Sequence, residues 1–247
     1  MTILQDLIGD MLPGEIVSVT VGLNRAAVVA QTSDGLRCGI AVVSSDWPSR
    51  WGQPLVRQAG QLETLSPTGL AELALRESPA ERGVGIAAIN AFLPKPTQVD
   101  QIFNVEEMVI EATLTKKVVV VGHFSFIDRI RAMSRKLDVL ELKPREGDLP
   151  AEMANNVLPK ADVVILTGTT LENGTFEGLT RLTNDYAEIY MVGPTTPLAK
   201  RLFHYNIRAC CGAEITDIDG TVRAISQGAT YRQLREMQLV RHVTYWR

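Results

Sequence analysis

In the first part of the chain apolar residues tend to recur at every second position. The alternation in "EIVSVTVGLN" and "RAAVVAQTSDGLRCGIAVV" predicts three β-strands, with Asp34-Gly35 marking a tight hairpin between the second and third. The period then lengthens. "SPTGLAELALRES" predicts a helix capped by Ser66, with Pro67 in its first turn. "SPAERGVGIAAINAFL" predicts another, in which Ser78 and Glu81 have capping-box spacing and Pro79 takes the first helical position. Strands followed by helices describe an N-terminal α+β domain, a three-stranded antiparallel meander plus helices. "LPKPTQVD", residues 93–100, has two prolines flanking a lysine and no apolar period, which predicts a linker.

Beyond the linker, short unbroken apolar runs alternate with longer amphipathic ones. The runs are "KVVVVG" (117–122), "LDVLEL" (137–142), "ADVVILTG" (161–168), "EIYMVGP" (188–194) and "IRACCG" (207–212), with "FIDRIRAMSRKL" and "TTPLAKRLFHYN" among the helical lengths between them. Continuous hydrophobic strands separated by helices predict a parallel sheet covered on both faces. The fold class expected is therefore α/β, with domains at 1–96 and 97–247, the second a Rossmann-like parallel sheet.

Composition narrows the function. Hydrophobic residues at 45% and charged residues at 21% fit a soluble globular chain, and no apolar stretch approaches the roughly 20 residues of a membrane span. A formal charge of −3 disfavours sequence-independent binding to nucleic acid. The N-terminus "MTILQDLIGDMLPGE" lacks the basic start and cleavage site of a secretory signal, so a cytoplasmic location is expected. Cys38, Cys210 and Cys211 form neither a disulfide framework nor a spaced zinc motif. Adjacent strand side chains face opposite ways, so at most one of Cys210 and Cys211 can serve any one site.

In open parallel sheets a ligand sits beyond the carboxyl ends of the strands. Here those ends read Gly122-His123, Glu141, Thr167-Gly168-Thr169-Thr170 and Gly193-Pro194-Thr195-Thr196. His123 is the one histidine expected on that edge, where it would serve as a general acid/base or metal ligand. Glu141 falls 19 positions after Gly122, where a ribose-binding acid would sit. Phe124 and Phe126 occupy the turn where a dinucleotide fingerprint needs small residues, which disfavours NAD. Asp148, with Lys143 and Arg145, adds charge in a proline-bounded loop. Thr196 followed by Pro197 predicts a helix start with free N–H groups facing the edge, suited to an anion.

The stretch "ADVVILTGTTLENGTFEGL" can start a helix at once or hold a loop. Asn173-Gly174 is a poor pair for a helix's opening turns, so a loop is expected through Gly174, with Thr175 capping a helix over about 176–183. Thr169, Thr170, Glu172 and Asn173 would then line the cleft.

Several blocks together, "GLNRAAVV", "ERGVGIAAINA", "VVVVGHF", "LELKPREGDLP", "VLPKADVVILTGTTLENGT" and "GPTTPL", resemble the bacterial and archaeal family of unknown function described as putative heavy-metal chelation proteins. The resemblance implies an N-terminal domain similar to that of enolase, a Rossmann-like C-terminal domain and a site in the cleft between them. It also implies roles for Asn24 and Asn90, which periodicity alone reads as a turn residue and a helix-face amide. The expected partner is a small anionic or metal-chelating ligand, the cofactor a divalent transition metal or metal chelate, with His123, Glu141 and Asp148 as candidate metal ligands. An enzyme using a nucleotide-type cofactor such as S-adenosylmethionine is the alternative. A non-catalytic scaffold using Trp47, Trp51 and the terminal "TYWR" is another. A homodimer is the default assembly.

Overall fold

A computed structural model describes residues 2–44, 54–133 and 137–247. Trp47 and Trp51 lie outside the described residues, so the expected aromatic contact surface is not addressed. In chain order the elements begin with α1 (Ile3–Gly9), then β1 (Gly14–Val21), β2 (Arg25–Thr32) and β3 (Gly35–Val42). Helices α2 (Pro67–Ala71), α3 (Pro79–Phe92) and α4 (Val105–Thr115) follow, then β4 (Val118–Val121), α5 (Ile127–Met133), β5 (Leu137–Glu141) and β6 (Leu149–Pro150). The remainder is α6 (Ala154–Val157), β7 (Val163–Thr167), α7 (Thr169–Glu172), α8 (Phe176–Leu182), β8 (Glu188–Val192), β9 (Ile207–Ile215), α9 (Ile218–Ser226), α10 (Tyr231–Glu236) and β10 (Val240–Trp246).

The N-terminal strands form the expected antiparallel meander, order β1-β2-β3. Its period-2 pattern buries both faces. Ala26, Val28 and Ala30 join the core that holds α3, while Ala27 and Ile40 pack with Ala224, Ile225 and Leu234 of α9 and α10. Helix α3 follows the predicted span, but not the predicted capping box. Ser78 Oγ donates to Leu55 O at 2.6 Å and Glu81 Oε1 accepts from Arg57 N at 2.9 Å, so both side chains tie down the preceding segment instead. Ser66 does cap α2, accepting from Gly69 N.

The second sheet has seven strands in the order β10-β9-β8-β7-β4-β5-β6, parallel except for β10 against β9. Counted from β4 this is 3-2-1-4-5-6-7, the doubly wound order with an added antiparallel edge. The short β6 and the terminal β10 were not foreseen. β4 shows why its sequence is pure valine: Val119 and Val121 face one core, Val118 and Val120 the other. Cys210 and Cys211 likewise fall on opposite faces, and burial pushes both thiols up, Cys211 to about 12.

The segment "TTPLAKRLFHYN" departs from expectation. Residues 196–199 are non-helical, and a 3-10 helix starts only at Lys200. Thr196 caps nothing. Tertiary contacts replace the helix start: Thr195 Oγ1 accepts from Val42 N at 3.0 Å, and Thr195 O accepts from Asn90 Nδ2 at 3.3 Å. The hydroxyl that joins the two halves is that of Thr195, while the Thr196 hydroxyl expected at a helix end has no hydrogen-bond partner.

Close packing of β3 on α3 depends on Gly39, where a Cβ would collide with Ala87 O and Ala91 N. Gly39→Ala should cost on the order of 2–4 kcal/mol and lower the thermal midpoint by several degrees. Gly178 in α8 has nothing within 4 Å of its Cβ position, so Gly178→Ala should instead gain about 0.5–1 kcal/mol. Melting curves of the two variants beside the parent check both signs; equal midpoints would contradict this account of α3.

Candidate functional site

The doubly wound order places its reversal between β4 and β7, and a crevice follows there because the two connections leave toward opposite faces. Gly122 ends β4 at φ +101, and a Cβ there would lie 2.8 Å from Thr167 Cγ2, so the two strand tips approach closely. Beside them is a cavity of about 350 Å³, lined by Gly122, His123, Glu141, Thr167, Thr169 and Asn173, with Thr170 and Thr175 adjoining. That volume falls within the roughly 300–1,000 Å³ of small-molecule sites.

Polar groups around this cavity are partly engaged with one another. Thr167 Oγ1 donates to Thr169 Oγ1 at 3.2 Å and accepts from Thr169 N at 3.3 Å. Asn173 Oδ1 accepts from both the N–H and the hydroxyl of Thr175, at 3.1 and 2.7 Å, which directs the amide Nδ2 elsewhere. Glu141 Oε2 accepts from Leu142 N at 3.1 Å. His123 Nδ1 stands 3.4 Å from Asp148 Oδ2, without hydrogen-bond alignment.

Asp148 sits behind the cavity rather than in it. Its side chain is fully buried, with Oδ1 held by Arg131 Nη2 at 2.5 Å and Oδ2 by Arg145 N at 3.0 Å. Burial pushes this carboxyl up, but the Arg145 N–H, the Arg131 guanidinium and His123 together hold it below its ordinary value. Both of its oxygens are thus occupied by Arg131 and Arg145, and the imidazole stands beside it without a hydrogen bond.

The threonine-rich stretch divides differently from the expected loop. Residues 169–172 form one helical turn, α7, which Asn173 closes and Gly174 leaves at φ +75; α8 then starts at Phe176, as predicted. Thr175 precedes α8 but its hydroxyl serves Asn173, so it is not a side-chain cap. Because α7 is helical, its side chains fan around an axis. Thr169 reaches the cavity, Thr170 turns its hydroxyl back to Thr167 O at 2.7 Å, and Glu172 points away into the contact with Ser44 and Arg82.

Of the other predicted residues, Asn90 and Thr195 join the two halves. Gly168 admits the backbone and hydroxyl of Thr196, each 2.7 Å from where a Cβ would stand. Gly193, at φ +117, turns the chain after β8, and its carbonyl accepts from Thr196 N. Asn90 Nδ2 donates to Ile40 O and Thr195 O. Asn24 is in the turn before β2, where its carbonyl accepts from Val43 N, and it lines neither this cavity nor the second one described below. Val121, Leu140, Leu142, Ala151 and Leu179 complete the cavity wall and carry no signal beyond apolar periodicity. Phe124 and Phe126 stack at 5.3 Å in the turn after β4.

The candidate metal ligands do not assemble. Among the described residues there is no group of three or more His, Cys, Asp or Glu placed to hold a metal ion. His123 and Glu141 line the cavity, but Asp148 is already committed to Arg131 and Arg145. No helix among the described residues is long and apolar enough to cross a membrane.

Two family models match the chain, both described as "Putative heavy-metal chelation": DUF364 over residues 104–244 and DUF4213 over residues 5–93. An uncharacterized protein of Methanocaldococcus jannaschii is 33% identical over 153 residues, 56% of this chain, and the chain thus spans only 56% of that relative's length. A solved protein of unknown function from the DUF364 family of Desulfitobacterium hafniense DCB-2 superposes with a TM-score of 0.83 at 23% identity, covering 99% of this chain and 98% of its own. Its counterpart from Pyrococcus horikoshii gives 0.82 at 17% identity, with the same coverage. At these identities the likeness concerns the fold.

Glu172 yields a pH test of the geometry. It is 2% exposed, its Oε1 has no partner, and burial raises its pKa against hydrogen bonds from Ser44 and the charge of Arg82. A carboxyl raised in the folded chain contributes stability that is full below its unfolded value and lost as pH rises through the folded one. Glu172→Gln removes that loss. Its thermal midpoint relative to the parent should therefore rise from about pH 4 to about pH 8; a difference that stays constant across the range would show that Glu172 is not buried as described.

Proposed function

The chain belongs to the DUF364 family of "Putative heavy-metal chelation" proteins, and we propose that it binds a small organic anion bearing metal-chelating groups in the cavity between the tips of β4 and β7. The observation that carries this reading is convergence. His123, Glu141 and the pair Thr169 and Asn173 follow three different strands and meet around one cavity at the position where the doubly wound order places a ligand. The division of the chain into an enolase N-terminal-like unit (1–96) and a Rossmann-like unit (97–247) belongs to the same proposal, supported by the two separate sheets and the break between the family matches at 93 and 104.

The donor set decides how a metal enters. His123 offers one imidazole and Glu141 one carboxylate, which is fewer than the three or four protein ligands that hold a transition metal. The residues therefore do not fit a bare ion. They fit an organic chelator, whose carboxylates would meet Thr169, the Asn173 amide and His123. A nucleotide-type cofactor is a second reading, favoured specifically by Glu141 at the end of the strand next to β4, the position of a ribose-binding acid.

Thermal shift with citrate and iminodiacetate, each alone and with Co²⁺ or Ni²⁺, tests the proposal against the metals alone. An organic chelator, free or loaded, should stabilise the protein more than either ion. Asn173→Asp preserves the acceptor for Thr175 while placing a negative charge at the cavity, and should weaken chelator binding by about tenfold or more. Stabilisation by bare metal only, or equal binding to the variant, would contradict it. S-adenosylmethionine binding by calorimetry, weakened in Glu141→Gln, would favour the second reading instead.

A further inference from the structure

A second cavity, of about 180 Å³, lies where the free edge of β3, the end of α3 and the 93–99 segment meet the ends of β8 and β9. It shares no lining residue with the cavity between β4 and β7. Three residues around it carry a buried polar atom with no hydrogen-bond partner: Arg37 Nη1, Asn90 Oδ1 and Thr196 Oγ1. Native interiors rarely leave such atoms unpaired, so three around one small cavity require an explanation.

Their chemistry is not interchangeable. Both amide hydrogens of Asn90 are committed, to Ile40 O at 3.0 Å and Thr195 O at 3.3 Å, so the unpaired atom is an oxygen that can only accept. Arg37 can only donate; its Nη1 stands 3.5 Å from Asp34 Oδ2, an ion pair without hydrogen-bond alignment. Thr196 is 3% exposed, and its hydroxyl can do either. It lies against Gly168, and turning it toward the cavity sacrifices no hydrogen bond because it makes none. Two acids share this wall: Asp34 faces Arg37, and Glu214 is held between Lys95 at 2.7 Å and Arg241 at 2.6 Å. Much of the remaining wall is apolar, including Leu93, Val99, Leu198, Ile218 and Val243.

We propose that this cavity binds a small aliphatic carboxylic acid carrying an amino or hydroxyl group beside the carboxylate. The carboxylate meets the Arg37 guanidinium, the neighbouring N–H or O–H donates to Asn90 Oδ1, Thr196 bonds either group, and the aliphatic part fills the apolar wall. The volume is below that of a drug-sized site, which limits the ligand to a small metabolite. The inference stands on different residues from the proposed chelator site and does not depend on it.

Titration calorimetry with L-valine, 2-hydroxyisovalerate and isovalerate tests it on the intact chain, up to about 10 mM, the range expected for ligands of this size. At least one of the first two should bind. Isovalerate, which lacks the donor, should bind about fivefold more weakly or worse. Thr196→Val, which keeps the shape, and Arg37→Lys, which keeps the charge but not the fork, should each weaken the better ligand by about fivefold. Asn173→Asp, at the other cavity, should leave this binding unchanged, so failure here and failure of the chelator reading are separable. No binding by any of the three acids, equal binding of isovalerate, or insensitivity to both variants in protein that melts like the parent would overturn the proposal.

Discussion

The free edge of β3 organises the molecule. A strand edge presents unpaired N–H and C=O groups that must be paired, covered or left to water. Here the second half of the chain covers it: Thr195 Oγ1 takes the Val42 N–H, and Asn90 Nδ2 bridges Ile40 O to Thr195 O. One asparagine thus ties α3, β3 and the segment after β8 together. Around that junction the two halves share a single apolar core, which runs from Ile3, Leu70 and Phe92 to Val119, Leu166 and Cys210. Removing the Asn90 bridge would take this donor from the Ile40 and Thr195 carbonyls, at about 1–3 kcal/mol for each one left unpaired.

The junction also explains why the carboxyl edge of the parallel sheet is divided. The β8 and β9 ends lie under the meander and the 93–99 segment, whereas the β4, β5 and β7 tips are left to form their own cavity. Gly122 and Gly168 make this layout sterically possible, one by letting the β4 tip approach Thr167, the other by letting Thr196 pass over the start of α7. A side chain at either position would push the tip of one strand away from its neighbour.

Much of this layout was legible in the sequence wherever burial set the pattern. The valine run of β4, the alternation in β2, the turn at Gly35 and the opposite facing of Cys210 and Cys211 all follow from period and apolarity. The place of Gly122, His123, Glu141, Thr167 and Thr169 at strand ends around one cavity follows from the alternation of parallel strands and helices. What failed was local capping chemistry beyond Ser66, which does cap α2. Ser78, Glu81 and Thr196 each stand at a correct local spacing, yet each side chain is engaged or placed by a distant segment. A hydroxyl or carboxylate has the same donors and acceptors for a remote backbone as for the next turn, and sequence spacing cannot tell which partner the fold brings closer. β6 was missed because two residues carry no period, and Arg37 because a strand arginine reads as an exposed charge.

The abundance of threonine at the strand ends therefore has two separate causes. Thr170 and Thr195 are spent on backbone: one closes α7 against Thr167 O, the other joins β3 to the parallel sheet. Thr169 and Thr196 have no backbone acceptor for their hydroxyls among the described residues, and they belong to different cavities. Threonine suits both duties, because its β-branched stem packs at a strand end while its hydroxyl is free to pair inward or outward. The hydroxyls of Thr170 and Thr195 thus hold backbone, while those of Thr169 and Thr196 retain hydrogen-bonding capacity toward their cavities. Chemical capacity at this edge is what remains after the interface between the halves has been satisfied.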